Sequence, residues 1–137
     1  MLYLTQMEIR KSNKIQVKSS ELHGLGVFAT KDIDKDEVIE ECPILFLPTK
    51  NGEMNYVLID YTFQWPKTDE WTNHVISLGY GSLYNHSNTP NADWFSDEEK
   101  MVFKFVSLKP IKKGEEITIY YGGEGYWNDG RTHVDVK

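Results

Sequence analysis

Leu83–Asn91, with the sequence LYNHSNTPN, is the stretch that decides how this chain is interpreted. It sets Asn85 and His86 among Ser, Thr, Pro and Asn residues, whose side chains often bond to their own backbone in turns. A glycine-containing segment precedes it at 23–28 (HGLGVF), and a β-rich segment follows it at 114–122 (GEEITIYYG). Each motif is weak alone, and the order of the three along the chain carries the information.

The glycine pair, Gly24 and Gly26, lies between two predicted strands. Glycine lets the backbone turn tightly and lets a ligand approach without a Cβ in the way. The third glycine and the following helix of a dinucleotide-binding fingerprint are missing. The pair therefore predicts a tight hairpin, which either only reverses the chain or also contacts a ligand through its backbone.

The segment 117–121 is predicted to be a strand that carries a candidate functional tyrosine. Period-two alternation predicts Ile117, Ile119 and Tyr121 on one face, and Thr118 and Tyr120 on the other. A tyrosine on the inner face of a strand either packs in the core or presents its hydroxyl to a site. The pattern alone leaves both alternatives open.

Short β-branched and aromatic runs bounded by turn residues predict a mainly β chain with one or two short helical turns. Asn51-Gly52 predicts a tight turn. Two segments, 33–39 (IDKDEVI) and 111–117 (IKKGEEI), repeat an isoleucine, a polar turn and a glutamate before a β-branched residue. They reflect either the same turn chemistry used twice or a pseudo-symmetric pair of hairpins.

Taken in this order, the three motifs resemble the SET domain family of S-adenosylmethionine-dependent protein-lysine methyltransferases. The resemblance divides the chain into an N-terminal extension (1–14), a SET domain (15–122) and a short C-terminal segment (123–137). It implies a mainly β fold, the SET β-clip of several small sheets with few short helical turns. It also implies a knot-like crossing, rare among folds, in which the C-terminal strand passes beneath the Asn85-His86 loop.

The resemblance implies S-adenosylmethionine as the cofactor and assigns residues to its site. The glycine loop would contact the cofactor through its backbone, Asn85 and His86 would line its pocket, and Tyr121 would be the catalytic residue. Trp127 would cover the adenine or close the channel. The implied cofactor-binding residues are His23, Gly24, Leu25, Gly26, Asn85, His86, Tyr121 and Trp127.

A narrow channel that admits the substrate lysine is a further implication of the resemblance. Tyr61 belongs to a Tyr-x-Phe element similar to one in the family, and is otherwise a core residue. Ile119, two residues before the catalytic tyrosine, stands at a position that helps to set the channel width. The number of methyl groups transferred stays open.

Two positions differ from many eukaryotic members of the family. Ser82 stands where they carry arginine, and Asn88 stands where they carry a zinc-binding cysteine. A C-terminal cysteine cluster is also missing, because Cys42 is the one cysteine of the sequence, and the four histidines have no metal-ligand spacing. The sequence therefore predicts no metal site, and it is similar to minimal bacterial or viral members without a zinc post-SET module.

The composition predicts one soluble domain. A chain of 137 residues with 39% hydrophobic residues can bury a core and leaves little room for a second domain. No apolar stretch approaches the roughly 20 residues that a membrane helix needs, and the N-terminus lacks a signal-peptide pattern. We expect a soluble intracellular protein, cytoplasmic if bacterial, with no membrane partner.

The net charge of -6 argues against direct nucleic-acid binding, which needs a basic surface. The charge is compatible with a basic, lysine-containing protein substrate, or it serves only solubility. The resemblance also allows a homodimer, since some minimal SET proteins pair to complete their sites.

The predicted function is methyl transfer to the ε-amine of a lysine in a protein. That amine must be neutral to react, and an apolar aromatic channel favours the neutral form by desolvating the ammonium. Tyr121 would orient the amine, because an ordinary tyrosine pKa of about 10 makes it a poor general base. The alternatives are a catalytically inactive SET-like module that binds the cofactor or a basic peptide, and a β-rich interaction domain whose motif matches are incidental.

Overall fold

Two β-sheets and a few short helical turns make up the part of the chain described by this computed structural model, residues 11–47, 56–67 and 73–122. The predicted mainly β fold is confirmed. In chain order the elements are β1 (Ile15–Ser19), β2 (Leu25–Ala29), β3 (Val38–Leu47), α1 (Tyr56–Ile59), β4 (Thr62–Gln64), β5 (His74–Ser77), a 3₁₀ turn (Gly81–Leu83), β6 (Asn85–His86), β7 (Ala92–Asp97), β8 (Val102–Ser107) and β9 (Glu116–Ile119).

The first sheet has the strand order β1-β2-β9-β6. Strands β1 and β2 form an antiparallel hairpin whose closing pair is Ser19 and Leu25. The loop is tied by a 2.8 Å hydrogen bond from the Ser20 amide to the Gly24 carbonyl. Gly24 has φ of +46°, a left-handed conformation that favours glycine. The glycine pair therefore forms the predicted hairpin.

Strand β9 is the last strand of the described chain, yet it lies inside the first sheet. It pairs antiparallel with β2, where Ile117 faces Val27, and parallel with β6, where Thr118 faces Asn85. Parallel neighbours need a long connection, and here the chain runs through β7 and β8 before it returns. The C-terminal strand is thus inserted between the glycine hairpin and the Asn85-His86 segment, as the predicted crossing requires.

The second sheet has the strand order β4-β5-β3-β8-β7, and β3 changes partner along its length. It pairs with β8 as far as Pro43 and with β5 from Ile44 onward. Proline has no N–H to donate to a ladder, so it is tolerated where the partner changes. Two apolar runs that the sequence separates at Pro43 therefore belong to one strand.

A bulge in β3 brings a carboxylate into the core. The register between β3 and β8 shifts between Val38 and Glu40. As a result, the sequence neighbours Ile39 and Glu40 are both buried, with 1% and 9% exposure. Bulges commonly redirect a side chain in this way.

The two repeated sequence segments pair with each other. Ile33 and Ile111 form an antiparallel bridge with backbone hydrogen bonds of 2.7 and 2.8 Å. The fourth residue of each segment is left-handed, with φ of 63° at Asp36 and 92° at Gly114. One segment leads from β2 to β3 and the other from β8 to β9. The bridge therefore joins two of the connections that run between the sheets. The two similar segments therefore lie side by side, and a pseudo-symmetric pair of hairpins stays a prediction.

The core is rich in aromatic side chains. Phe63 packs against Trp94, Phe103 and Phe105 at ring-centroid distances of 5.4, 5.3 and 6.2 Å, in tilted or edge-on geometries that aromatic pairs prefer. Cys42 is completely buried, and its burial raises the pKa of the thiol. The core thiol therefore stays protonated.

Some predictions fall outside the described residues. They are the Asn51-Gly52 turn, most of the N-terminal extension, and the C-terminal segment 123–137 with Trp127. The division into an extension, a domain and a tail therefore stays a prediction. Within the three described ranges, no helix has the length and apolar character needed to cross a membrane.

Candidate active site

Asn85 connects the glycine loop to the C-terminal strand. Its side-chain amide lies 3.1 Å from the His23 carbonyl, 3.0 Å from the Leu25 carbonyl and 2.8 Å from Glu116 Oε2. Two N–H groups are thus shared among three acceptors, one of them a charged carboxylate, which strengthens the hydrogen bond. With 6% exposure, the amide holds the loop in a fixed position.

Gly26 is needed where the loop meets β9. A Cβ at this position would lie 2.3 Å from Glu116 Oε2 and 3.0 Å from the Asn85 amide nitrogen. The carboxylate cannot easily move aside, because the Ser20 hydroxyl donates to its other oxygen at 2.6 Å. Residues 23–25 are exposed, so the tip of the loop can contact a ligand while Asn85 and Glu116 hold its base in place.

His86 fixes the backbone of Tyr121. Its Nδ1 accepts a 2.9 Å hydrogen bond from the Tyr121 amide, so in the neutral ring the proton lies on Nε2, 3.0 Å from Asn88 Oδ1. The rings of His86 and Tyr121 also contact each other, with centroids 5.4 Å apart. The side chain of His86 therefore positions the tyrosine that was predicted to be catalytic.

The Tyr121 hydroxyl donates to the backbone carbonyl of Tyr84. Tyr84 itself is held rigidly, since its ring stacks on Phe105 at 4.3 Å. Its hydroxyl donates to Glu40 Oε1 at 2.8 Å, and the other oxygen of Glu40 accepts from the Tyr80 amide at 2.9 Å. The β3 bulge thus supports the acceptor that orients Tyr121.

Burial, with the nearby Glu40 carboxylate as a second cause, raises the pKa of Tyr84 well above its ordinary value. Tyr84 therefore remains a hydrogen-bond donor to Glu40 at physiological pH. The pair is complementary, because a carboxylate oxygen accepts the hydrogen bond that the phenol hydroxyl donates.

A cavity of about 410 Å³ opens beside this tyrosine. Six of its lining residues are aromatic, and Tyr121 and Tyr61 are among them. Tyr61 is 45% exposed and so stands at the open part of the wall, while Tyr84 is fully buried. The aromatic lining residues are Tyr61, Phe63, Tyr84, Trp94, Tyr120 and Tyr121.

The structure brings together most of the predicted site residues. His23, Gly24, Leu25 and Gly26 form one loop, which Asn85 contacts directly. Ile119 lies in the core at 0% exposure and is not among the residues that line the cavity. Trp127 lies outside the described residues.

One detail of the predicted alternation is wrong. Strand β9 ends at Ile119, so Tyr120 and Tyr121 follow the strand instead of continuing it. Both of them line the cavity, although alternation assigned them to opposite faces. Thr118, predicted on the outer face, is 7% exposed, because β9 is covered on both sides.

Sequence reasoning missed several supporting residues. Asn91 donates to the Glu116 carbonyl and accepts from the Thr118 amide, both at 2.8 Å, so it bonds to β9 as a neighbouring strand would. The hydrogen-bond partners of Glu40 and Glu116 are also distant in sequence, at separations of 31 to 96 positions. For Asn91 the sequence did contain a signal. It is the last residue of the motif 83–91, and a side-chain amide can both donate and accept hydrogen bonds.

The geometry agrees with comparison to known proteins. A family model described as SET domain matches residues 24–122. The fold and the match define the class of the protein-lysine methyltransferases. The chain belongs to the SET domain family.

The chain is similar to a Schizosaccharomyces pombe protein named histone-lysine N-methyltransferase, H3 lysine-37 specific, at 30% identity over 84% of this chain and 78% of that protein. A SET and MYND domain-containing protein of Dictyostelium discoideum is 42% identical over 42% of this chain and 14% of its own length. The solved structure of a candidate histone methyltransferase of Plasmodium falciparum aligns with TM-score 0.69 and 34% identity. That alignment covers 86% of this chain and 99% of the other.

Proposed function

We propose that this SET domain transfers a methyl group from S-adenosylmethionine to the ε-amine of a lysine in a basic protein, with Tyr121 as the catalytic residue. The observation that carries the proposal is the fixed position of Tyr121. His86 holds its backbone and the Tyr84 carbonyl accepts from its hydroxyl. Its ring lies at the wall of an aromatic cavity.

The residues of the glycine loop fit the proposed cofactor. Residues 23–25 are exposed, and a Cβ at Gly26 would fill the space between the loop and Glu116. The residues that would hold the cofactor are His23, Gly24, Leu25, Gly26, Asn85, His86 and Tyr121. When bound, S-adenosylmethionine supplies a methyl group already activated by a sulfonium, so the protein mainly has to align the acceptor.

The cavity favours the neutral amine that the reaction needs. An ordinary lysine has a pKa near 10.4, so only a small fraction is neutral at physiological pH. Entry into a cavity walled by Tyr61, Tyr120 and Tyr121 removes water from the ammonium and disfavours its charge. The Tyr121 hydroxyl donates its proton to the Tyr84 carbonyl, so its oxygen can accept from an N–H of the amine and leave the lone pair free to react.

The proposed substrate class is that of basic, lysine-rich proteins, histones included. Two observations support it. The relatives from Schizosaccharomyces pombe and Debaryomyces hansenii are named for lysines of histone H3, and this chain has a net charge of -6, which attracts a basic partner. The match covers only 20% of the Debaryomyces protein, so the lysine for which that protein is named is not assigned to this chain.

Methyl transfer from labelled S-adenosylmethionine to a core histone mixture tests the proposal. We expect transfer by the wild-type protein and a loss of roughly 100-fold in kcat for Tyr121→Phe, the scale of removing one preorganised hydrogen-bonding group from an active site. Cofactor affinity, measured by calorimetry, should fall far less than kcat, because the other six cofactor-binding residues are unchanged.

Tyr120→Phe is the matched control, because it removes the hydroxyl of the neighbouring cavity residue. Its kcat should fall far less than that of Tyr121→Phe. Tight cofactor binding without labelling of any acceptor would favour the inactive module. An equal loss in the two variants would contradict the role given to Tyr121.

A further inference from the structure

A lysine of the chain itself occupies a cation-binding position in the cavity wall. The ammonium of Lys67 lies 2.6 Å from Asp93 Oδ1 and 3.0 Å from the Trp94 carbonyl. It also lies 3.9 Å from the centroid of the Trp94 ring, within the range of a cation–π interaction. A carboxylate, a carbonyl and an aromatic face therefore surround one positive charge.

This position belongs to the same cavity as the tyrosines. Lys67, Asp93 and Trp94 line it together with Tyr61 and Tyr121. A substrate that inserts a lysine toward Tyr121 would therefore bring its neighbouring residues close to Asp93 and Trp94. A positively charged substrate residue would suit this position best, because the ammonium of Lys67 now supplies a positive charge there.

Lys67 is held weakly enough to be displaced. The side chains of Lys67 and Asp93 are each 34% exposed, and ion pairs that reach solvent contribute little to stability. The Lys67 backbone has its own anchor, a 2.7 Å hydrogen bond from its amide to Ser96 Oγ. The flexible stem can therefore swing out while the backbone of β7 and of Lys67 stays in place.

We propose that Asp93 and Trp94 form a subsite for a second basic residue of the protein substrate, and that Lys67 fills it until the substrate arrives. The inference rests on the proposed lysine methyl transfer and adds to it a substrate feature, a lysine or arginine near the target lysine. Lys67 is then an internal competitor that the correct substrate replaces. Substrates without the second cation cannot replace it.

Peptide binding tests the subsite without requiring turnover. The probes are peptides whose target lysine is replaced by methionine, in a series that moves one arginine through the neighbouring positions, with alanine as the reference. We expect one arginine position to increase affinity. At that position, Lys67→Met should bind the peptide about tenfold more tightly than wild type, because the competing cation is gone.

Asp93→Asn should remove the preference for arginine over alanine, while keeping an oxygen that can accept from the Trp94 amide, as Asp93 Oδ1 does now at 2.8 Å. Lys104→Met is the matched control, since Lys104 forms a similar ion pair with Asp97 at 3.1 Å and does not line the cavity. Circular dichroism and thermal unfolding establish that each variant is folded.

Two results would overturn the subsite. One is the same affinity for arginine and alanine peptides at every position in the wild type and in Lys67→Met. The other is an arginine preference that survives Asp93→Asn. Normal methyl transfer together with either result refutes the subsite alone, whereas absent cofactor binding and absent transfer refute the proposed function.

Discussion

The side chains of Asn85 and His86 bind the protein itself. Asn85 donates to the carbonyls of the glycine loop, and His86 accepts from the Tyr121 amide. Both side chains are buried, at 6% and 8% exposure. At the residue scale, the pair therefore joins the two other motifs, which explains why the three motifs occur together in one sequence.

Gly26→Ala should weaken cofactor binding strongly. Its Cβ would lie 2.3 Å from Glu116 Oε2, so the carboxylate or the loop must move, and the Asn85 contacts to the loop would be distorted. We expect the dissociation constant for S-adenosylmethionine to rise at least about tenfold. A tenfold rise corresponds to the free energy of about one good hydrogen bond. Isothermal calorimetry measures it.

Gly114→Ala is the control for this change. Gly114 has φ of +92° and open space around its Cβ position, so alanine costs only backbone strain, about 1 kcal/mol of unfolding free energy. Cofactor affinity should stay at the wild-type value. A Gly26→Ala protein that binds the cofactor normally would contradict the packing described for the loop.

The sequence predicted the residue types of the site better than their contacts. Asn85, His86 and Tyr121 could be selected because the motif order is informative. Glu116 and Glu40 could not, because each is an ordinary strand residue until folding brings its partner to it. The Tyr84 hydroxyl that binds Glu40 is 44 positions away, and no local pattern encodes such a pair.

Among the elements, β9 is held from more sides than a short strand usually is. It pairs with β2 and β6, and Asn91 bonds to its backbone at Glu116 and Thr118. The Asn91 side chain thus supplies the donor and the acceptor that a further strand would provide. Tyr121 follows this strand directly, so the placement of β9 determines the site.

Asn91→Ala should destabilise the fold by roughly 2 kcal/mol or more. The change leaves the Glu116 carbonyl and the Thr118 amide without their buried partner, and each unsatisfied group costs about 1–3 kcal/mol. Urea unfolding followed by fluorescence measures the free energy. Asn13→Ala, at an exposed position, should stay within about 0.5 kcal/mol of wild type. Equal stabilities for the two variants would contradict the bridging role of Asn91.

Element boundaries were predictable where local chemistry decides them. The β1-β2 hairpin follows from Gly24, whose left-handed backbone needs glycine. The single strand β3 was not predictable, because Pro43 normally interrupts a strand. It continues here since the proline falls where the pairing partner changes from β8 to β5, and only the assembled sheet shows that.

For the whole molecule, contact between two chain connections helps to hold the two sheets together. The Ile33–Ile111 bridge joins the β2–β3 connection to the β8–β9 connection, and both isoleucines are 1% exposed. The similar sequences of segments 33–39 and 111–117 indicated that the two are related. They did not predict that the segments pair, since the same turn chemistry can also arise independently at two strand entries. Near this bridge β2 pairs with β9, so the glycine hairpin lies beside the strand that leads to Tyr121.

Three segments that are distant in sequence are proposed to form one cofactor site. Titration of ¹⁵N-labelled protein with S-adenosylmethionine, followed by amide NMR signals, reports on all three segments at once. We expect the signals of Gly24, Gly26, Asn85, His86 and Tyr121 to shift together and to saturate with one dissociation constant. Saturable shifts that leave the glycine loop or the Asn85-His86 segment unchanged, or no saturable shifts at all, would contradict it.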